Sequence, residues 1–350
     1  MRYIFAFTLA ALAAAGETNL RPFLEAGHFH RVRALSEQRL KANPNDAEAA
    51  YALSYAKYKS GDLDGAAILA EKAVSLNNKD AEYHNLLAQL YGMQAQNATV
   101  FRQIGLARRC KKELDATLAV DPKHFEAQVT LMLFSLKAPA IVGGDRARAR
   151  SIPDSIIKYD PANGYLAKIR LLQEDGRREE AADLYRKAAD ADPKNYRAQT
   201  SYIGYLLSQT KELDDAERRA RQLIQDYPDR FDGYTFLAAR LALAERWAEM
   251  DAVLQESRKR CPDNLQPFFN TARMLMRAGK ELKRAEEYLN LYLSQEPEYS
   301  MPPTGYAHWL LGLVFEKEGR KPEAIAEIEK CSRMLPQFEN AKKDLKRLRS

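Results

Sequence analysis

Helix stops recur along this chain in near-constant phase, and that phase limits what the chain can fold into. Pro44, Pro122, Pro161, Pro193, Pro228, Pro262, Pro297 and Pro336 each close an apolar periodic run, and Asn78 holds the same slot in one unit. Successive spacings are 34, 44, 39, 32, 35, 34, 35 and 39 residues. Proline cannot continue a helix, and the residue before it avoids helical backbone, so each is a stop. Twelve residues before the stops a small residue is usual: Ala66, Cys110, Ala149, Ala181, Ala216, Ala285 and Ala324, with Met250 an exception. Gly61, Gly144, Gly176, Gly279 and Gly319 stand five or six residues earlier still, where a turn belongs. A compact helical bundle has no reason to hold one phase along a whole chain. A stack of helix hairpins does.

The last complete unit shows the design. Leu310, Leu311, Leu313, Val314 and Phe315 recur at helical spacing, Gly319 interrupts them, and Ala324, Ile325, Ile328, Cys331 and Leu335 form a second run. Gly312 and Ala324 fall where the two helices cross, where only a small side chain permits close approach. Leu311-Gly312-x-x-Phe315, then Ala324-x₃-Ile328, then Pro336 resembles the tetratricopeptide repeat in register. His308 stands in that pattern's Trp slot, and Trp309 comes one residue late. The resemblance covers residues 21–350. It implies an all-α, right-handed superhelical solenoid of about eight or nine hairpins, closed by a capping helix over 337–349. Composition agrees: the chain is 46% hydrophobic and 29% charged. At 350 residues a solenoid avoids the limit on a single core, because each unit packs only on its neighbours.

Residues 1–15 read differently. Arg2 precedes an uncharged apolar run from Tyr3 to Ala15, and Ala13-Ala14-Ala15 supplies the small residues of a cleavage site. This is the pattern of a signal peptide, too short to span a bilayer comfortably. It predicts cleavage near Ala15 and a periplasmic or secreted mature protein.

Two units depart from the 34-residue period. The unit ending at Pro122 is long, carries the cations Arg102, Arg108, Arg109, Lys111 and Lys112, and predicts an extended helix pair with a protruding end. The unit ending at Pro161 holds Ala138-Pro139-Ala140-Ile141-Val142-Gly143-Gly144-Asp145 at its turn. This resembles an Ala-Pro…Gly-Gly loop of some exported bacterial repeat proteins. It lacks the spacing and the Lys-Ser/Thr of a phosphate loop.

Motifs for chemistry are missing. His28, His30, His84, His124 and His308 are scattered, Cys110, Cys261 and Cys331 form no framework, and no metal, nucleophile or phosphate motif occurs. The sequence predicts no cofactor, no metal and no enzyme. A protein or peptide partner is expected, bound along a concave groove. Two other classes remain open on the residues: a helical-repeat RNA binder, suited to the pI of about 9.0, and an enzyme with an unfamiliar site. The resemblance implies that Tyr51, Tyr55, Tyr58, Arg170, Arg273, Arg277 and Trp309 lie on first helices facing that groove. Tyr, Trp and Arg carry binding energy most often. The slots of the chaperone-type carboxylate clamp hold Tyr51, Tyr55, Asn85 and Gln89 instead, so that mode is disfavoured.

Overall fold

The computed structural model describes residues 19–210, 212–299 and 301–350. The signal-peptide segment 1–15 lies outside them. Among the described residues there are nineteen α-helices and no strand. They pair in chain order. Helices α1 (Arg21–Ala26) and α2 (Phe29–Ala42) open the chain, followed by α3 (Ala47–Lys59) with α4 (Leu63–Leu76), and α5 (Ala81–Gln96) with α6 (Val100–Val120). Next come α7 (Phe125–Lys137) with α8 (Arg146–Ile157), α9 (Pro161–Glu174) with α10 (Ala182–Ala191), and α11 (Tyr196–Gln209) with α12 (Leu213–Asp226). The pairs α13 (Asp232–Leu243) and α14 (Trp247–Arg260), α15 (Gln266–Ala278) and α16 (Leu282–Tyr292), and α17 (Thr304–Lys317) and α18 (Lys321–Met334) complete the stack, and α19 (Glu339–Arg349) covers its end. The architecture is an all-α solenoid.

Local chemistry fixes the hairpins. Asp46, Asp62, Asp145 and Asp160 cap α3, α4, α8 and α9, each carboxylate accepting a backbone N–H three residues on. Gly319 ends α17 with φ of +77°, the left-handed turn that glycine adopts without strain. At the α17–α18 crossing, a Cβ on Gly312 would lie 2.4 Å from Ile328 and 2.9 Å from the Ala324 carbonyl. Ala324 is fully buried there. The expected close crossing is therefore real.

The two departing units also differ from the rest in form. Helix α6 runs 21 residues, and its first turn projects Val100 and Phe101 into solvent, Phe101 being 91% exposed. The 138–145 loop folds back on itself. Gly144 N–H donates to the Pro139 carbonyl, Asp145 N–H donates to the Ser135 carbonyl, and Val142 is buried. Cys110, Cys261 and Cys331 are buried and unpaired, and burial pushes the thiols of Cys110 and Cys261 up to about 12. No helix among the described residues is long and apolar enough to cross a membrane.

The core is segmented. One apolar cluster joins Leu20 and Val32 to Ala49, Ala52 and Ala56; a second runs from Ala50 to Leu131. Small clusters follow through α7–α10, and one continuous core then extends from Ala189 to Leu348.

The solenoid curls back until its first helices touch loops far along the chain, a closure absent from the sequence reading. Glu25 pairs with Arg230 at 2.8 Å. His28 Nδ1 and Arg31 Nη2 lie 3.2 and 2.7 Å from one oxygen of Asp263. The His30 amide donates to Glu298 Oε2 at 3.0 Å, its ring Nε2 bonds the Pro297 carbonyl at 2.9 Å, and Arg33 donates to the Tyr299 hydroxyl at 3.1 Å. These contacts form a seam between the start of the chain and its last third.

Candidate functional site

Closure of the solenoid creates a central cavity of about 760 Å³, walled by residues from α1, α3, α5, α7, α9, α11 and the loop before α13. Helix α3 supplies its aromatic wall. Tyr51, Tyr55 and Lys59 recur at i, i+4 and i+8, and Tyr58 stands beside them, so one helical stripe reaches the cavity. The tyrosines also hold the stack. Tyr51 stacks on Tyr83 of α5 at 4.9 Å, and Tyr55 lies over Phe29 of α2 at 6.0 Å. Burial pushes the Tyr55 phenol up to about 12 and raises that of Tyr51 further. Both therefore stay neutral donors across the physiological range.

Most charges at the wall are already satisfied. Arg21 pairs with Asp80, Arg197 with Glu126, Arg230 with Glu25, and Glu82 with His124 at 3.3 Å. Arg230 also stacks over Tyr196 and Tyr227 at 4.5 and 5.3 Å. Asp232, buried beneath Tyr196, accepts that hydroxyl's hydrogen bond, and burial raises its carboxyl above the ordinary range.

Lys59 is different. Its ammonium has no carboxylate within 4.0 Å among the described residues. It lies 5.1 to 5.9 Å from the ring centres of Tyr58, Tyr55 and Phe29. Aromatic faces attract a cation through their quadrupole but leave its donors unused. Burial lowers its pKa, and the Glu126 carboxylate only partly offsets that. Asn85 of α5 lines the same cavity; it is 4% exposed, and its Oδ1 has no hydrogen-bond partner among the described residues. A buried unmatched acceptor is costly, and native structures hold few of them. The wall thus offers an unspent cation and an unspent acceptor, with the hydroxyls of Tyr51, Tyr55 and Tyr58 alongside.

The other residues expected in the groove are dispersed. Arg170 lines a neighbouring depression of about 620 Å³ with Tyr185 and Tyr205, and pairs with Glu174 one turn on. Arg273 and Arg277 lie one turn apart on the exposed side of α15. Burial and its neighbour Arg277 lower the Arg273 pKa. Trp309 faces the end of the stack: its ring meets Phe338 edge-on at 5.0 Å and its Nε1–H donates to Asp344 of α19 at 2.9 Å. The sequence reading did not single out Lys59, Tyr196, Arg197 or Arg230. For Lys59 the signal was present, since it extends the Tyr51–Tyr55 stripe by one more turn.

No cluster of metal-binding side chains occurs among the described residues. Two stretches, residues 23–90 and 166–231, match the tetratricopeptide repeat family. No curated protein matches the chain. Among solved structures, TTC0263, a thermophilic TPR protein of Thermus thermophilus, is 23% identical with a TM-score of 0.44, over 54% of this chain and 95% of that one. Yeast Tom70 is 14% identical with a TM-score of 0.47, over 94% of this chain and 79% of its own. The pilF protein of Pseudomonas aeruginosa is 16% identical with a TM-score of 0.36, over 74% of this chain and 97% of that one.

Proposed function

Since this chain is a tetratricopeptide repeat protein, and such repeats serve as protein-interaction scaffolds in general, we propose that it is a non-catalytic, exported adaptor whose central cavity holds an extended segment of a partner protein. One observation carries the reading: on a cavity wall whose other charges are paired, Lys59 keeps an unused donor and Asn85 an unused acceptor. A peptide satisfies both. An acidic side chain meets Lys59, a backbone N–H meets Asn85, and the tyrosine faces cover the apolar remainder. The cavity suits a short stretch of chain rather than a folded domain. Export rests on the apolar run of residues 3–15 and the small residues that end it.

The test places a photo-crosslinking residue at Gln89, on the cavity wall, or at Ser75, exposed on α4, in the protein expressed in its native cell. A defined adduct from Gln89, absent from Ser75 and lost in Lys59→Glu, supports the reading. Equal adducts from both positions, or one indifferent to Lys59→Glu, overturns it. Intact mass of the recovered protein tests export: a form that retains Met1 contradicts it.

A further inference from the structure

We propose that the seam joining the first helices to the last third of the chain is a gate, and that its ionic contacts control side access to the central cavity. The inference rests on the reading of that cavity as a binding site, but its test needs no partner.

The seam differs in kind from the contacts between successive units. Among the described residues, none of the apolar clusters crosses it: the cluster of Leu20, Val32 and the α3 alanines ends on one side, and the continuous core of residues 189–348 ends on the other. What crosses is polar, apart from the His30 ring tilted against Tyr299 with centres 4.3 Å apart. Apolar burial drives lasting association, whereas a hydrogen bond exchanged with water changes the free energy little. A joint made of such bonds opens without melting what it joins.

The joint is nevertheless specific. Helix α2 has no side-chain cap of its own at His28. Its free N–H at His30 is taken by Glu298, a carboxylate from 268 residues away that is 2% exposed. Burial raises the Glu298 carboxyl above its ordinary range, and the His30 N–H at the positive end of the helix dipole partly offsets that. Asp263 meets the His28 ring and the Arg31 guanidinium in the same way, across the seam. Glu298 is buried and Asp263 half-buried while the gate is shut. Open, they regain water, and so do the α2 N–H groups.

The gate and the cavity also share residues. Arg21, Leu24 and Glu25 of α1 form one wall of the cavity, and Arg230 forms another, so the Glu25–Arg230 pair spans the two. Separation at this pair removes a wall. An acidic group arriving in the cavity competes with Glu25 for Arg230, so occupancy and opening are linked.

The test puts a cysteine at Gln89, on the cavity wall, in the full chain and follows its reaction with a bulky fluorescein maleimide. The three native cysteines are buried. In Asp263→Asn/Glu298→Ala the rate should rise about tenfold or more, with the helical circular dichroism unchanged. Raising salt from about 0.05 to about 1 M in the parent should move the rate the same way, because screening weakens the ion pairs. A second variant works in the opposite sense: Glu25→Cys/Arg230→Cys bridged by a short bis-maleimide before Gln89→Cys is unmasked should slow labelling. Rates equal in the parent, the open variant and the bridged variant overturn the gate. Such a result leaves the binding reading standing on its own crosslinking test.

Discussion

The two ends of the solenoid are finished in opposite ways. At the C-terminal end, α19 lays Ala341 and Leu348 into the core, and Trp309 and Tyr306 close on Phe338 with ring centres 5.0 and 4.7 Å apart. At the N-terminal end, His28 before α2 and Arg31 and Arg33 on α2 meet Asp263 and the Tyr299 phenol, and the His30 N–H meets Glu298. The first closure buries apolar surface and adds the indole hydrogen bond and the ion pairs Arg347–Glu316 and Arg349–Glu329; the second has no shared apolar core and rests on ion pairs, hydrogen bonds and one ring contact. Apolar closure contributes free energy that is lost only by unfolding. Ionic closure contributes little net free energy, but it discriminates strongly between one geometry and another. The fold thus has one permanent end and one reversible end.

Substitutions at the two ends should separate stability from closure. Trp309→Ala should produce the largest loss, about 2–4 kcal/mol for a half-buried indole, seen as an early thermal transition by circular dichroism. Melting at the parent temperature would mean that α19 is not part of the core. Glu298→Ala should cost less, about 1–3 kcal/mol locally, because it leaves the α2 N–H without its acceptor. Its signature should be an increased radius of gyration by small-angle scattering with helical content preserved. An unchanged radius would show that the seam holds without Glu298.

A smaller effect follows from His124 and Glu82 at the cavity wall. Burial works against the charge on His124, but the Glu82 carboxylate outweighs it, so the pKa is raised. His124 also holds Glu82 below its ordinary range. A raised histidine contributes stability that is full below its unfolded value of about 6.5 and lost as pH rises through the folded one. Stability of the parent should therefore decline above about pH 6.5, by less than about 1 kcal/mol because Glu82 is partly exposed. In Glu82→Gln the melting temperature should lose that slope. A parent whose melting is flat across this window contradicts the pairing. Smallest in stability is Lys59→Met: the aromatic contacts are replaced by an apolar side chain of similar reach, so melting should shift by less than about 1 kcal/mol. Crosslinking from Gln89 should nonetheless disappear. Early melting in Lys59→Met would make the lysine structural.

What the sequence could reveal follows from the range of each signal. Stops, turn glycines and crossing residues such as Gly312 and Ala324 act within one hairpin, so their spacing was readable and the solenoid with it. The Tyr51–Tyr55 stripe was readable for the same reason. Trp309 could be placed on a first helix, but not aimed: one residue of register turns a side chain by about 100° around the helix, enough to move it between groove and cap. The seam had no local signal at all. His30 and Glu298 look like ordinary surface charges until curvature, summed over many units, brings them together. The cavity depends on that sum too, which is why Arg197 and Arg230 escaped notice.

Closure itself is open to direct measurement. Spin labels at Glu37→Cys on α2 and Glu296→Cys, beside the loop that carries Glu298, lie on exposed positions, and the native cysteines are buried. Double electron–electron resonance at low salt should give a short, narrow distance between them. In Asp263→Asn/Glu298→Ala, or at about 1 M salt, a second, longer and broader population should grow at its expense. A single long distance under every condition would contradict the account, because it would mean that the two ends of the solenoid do not meet.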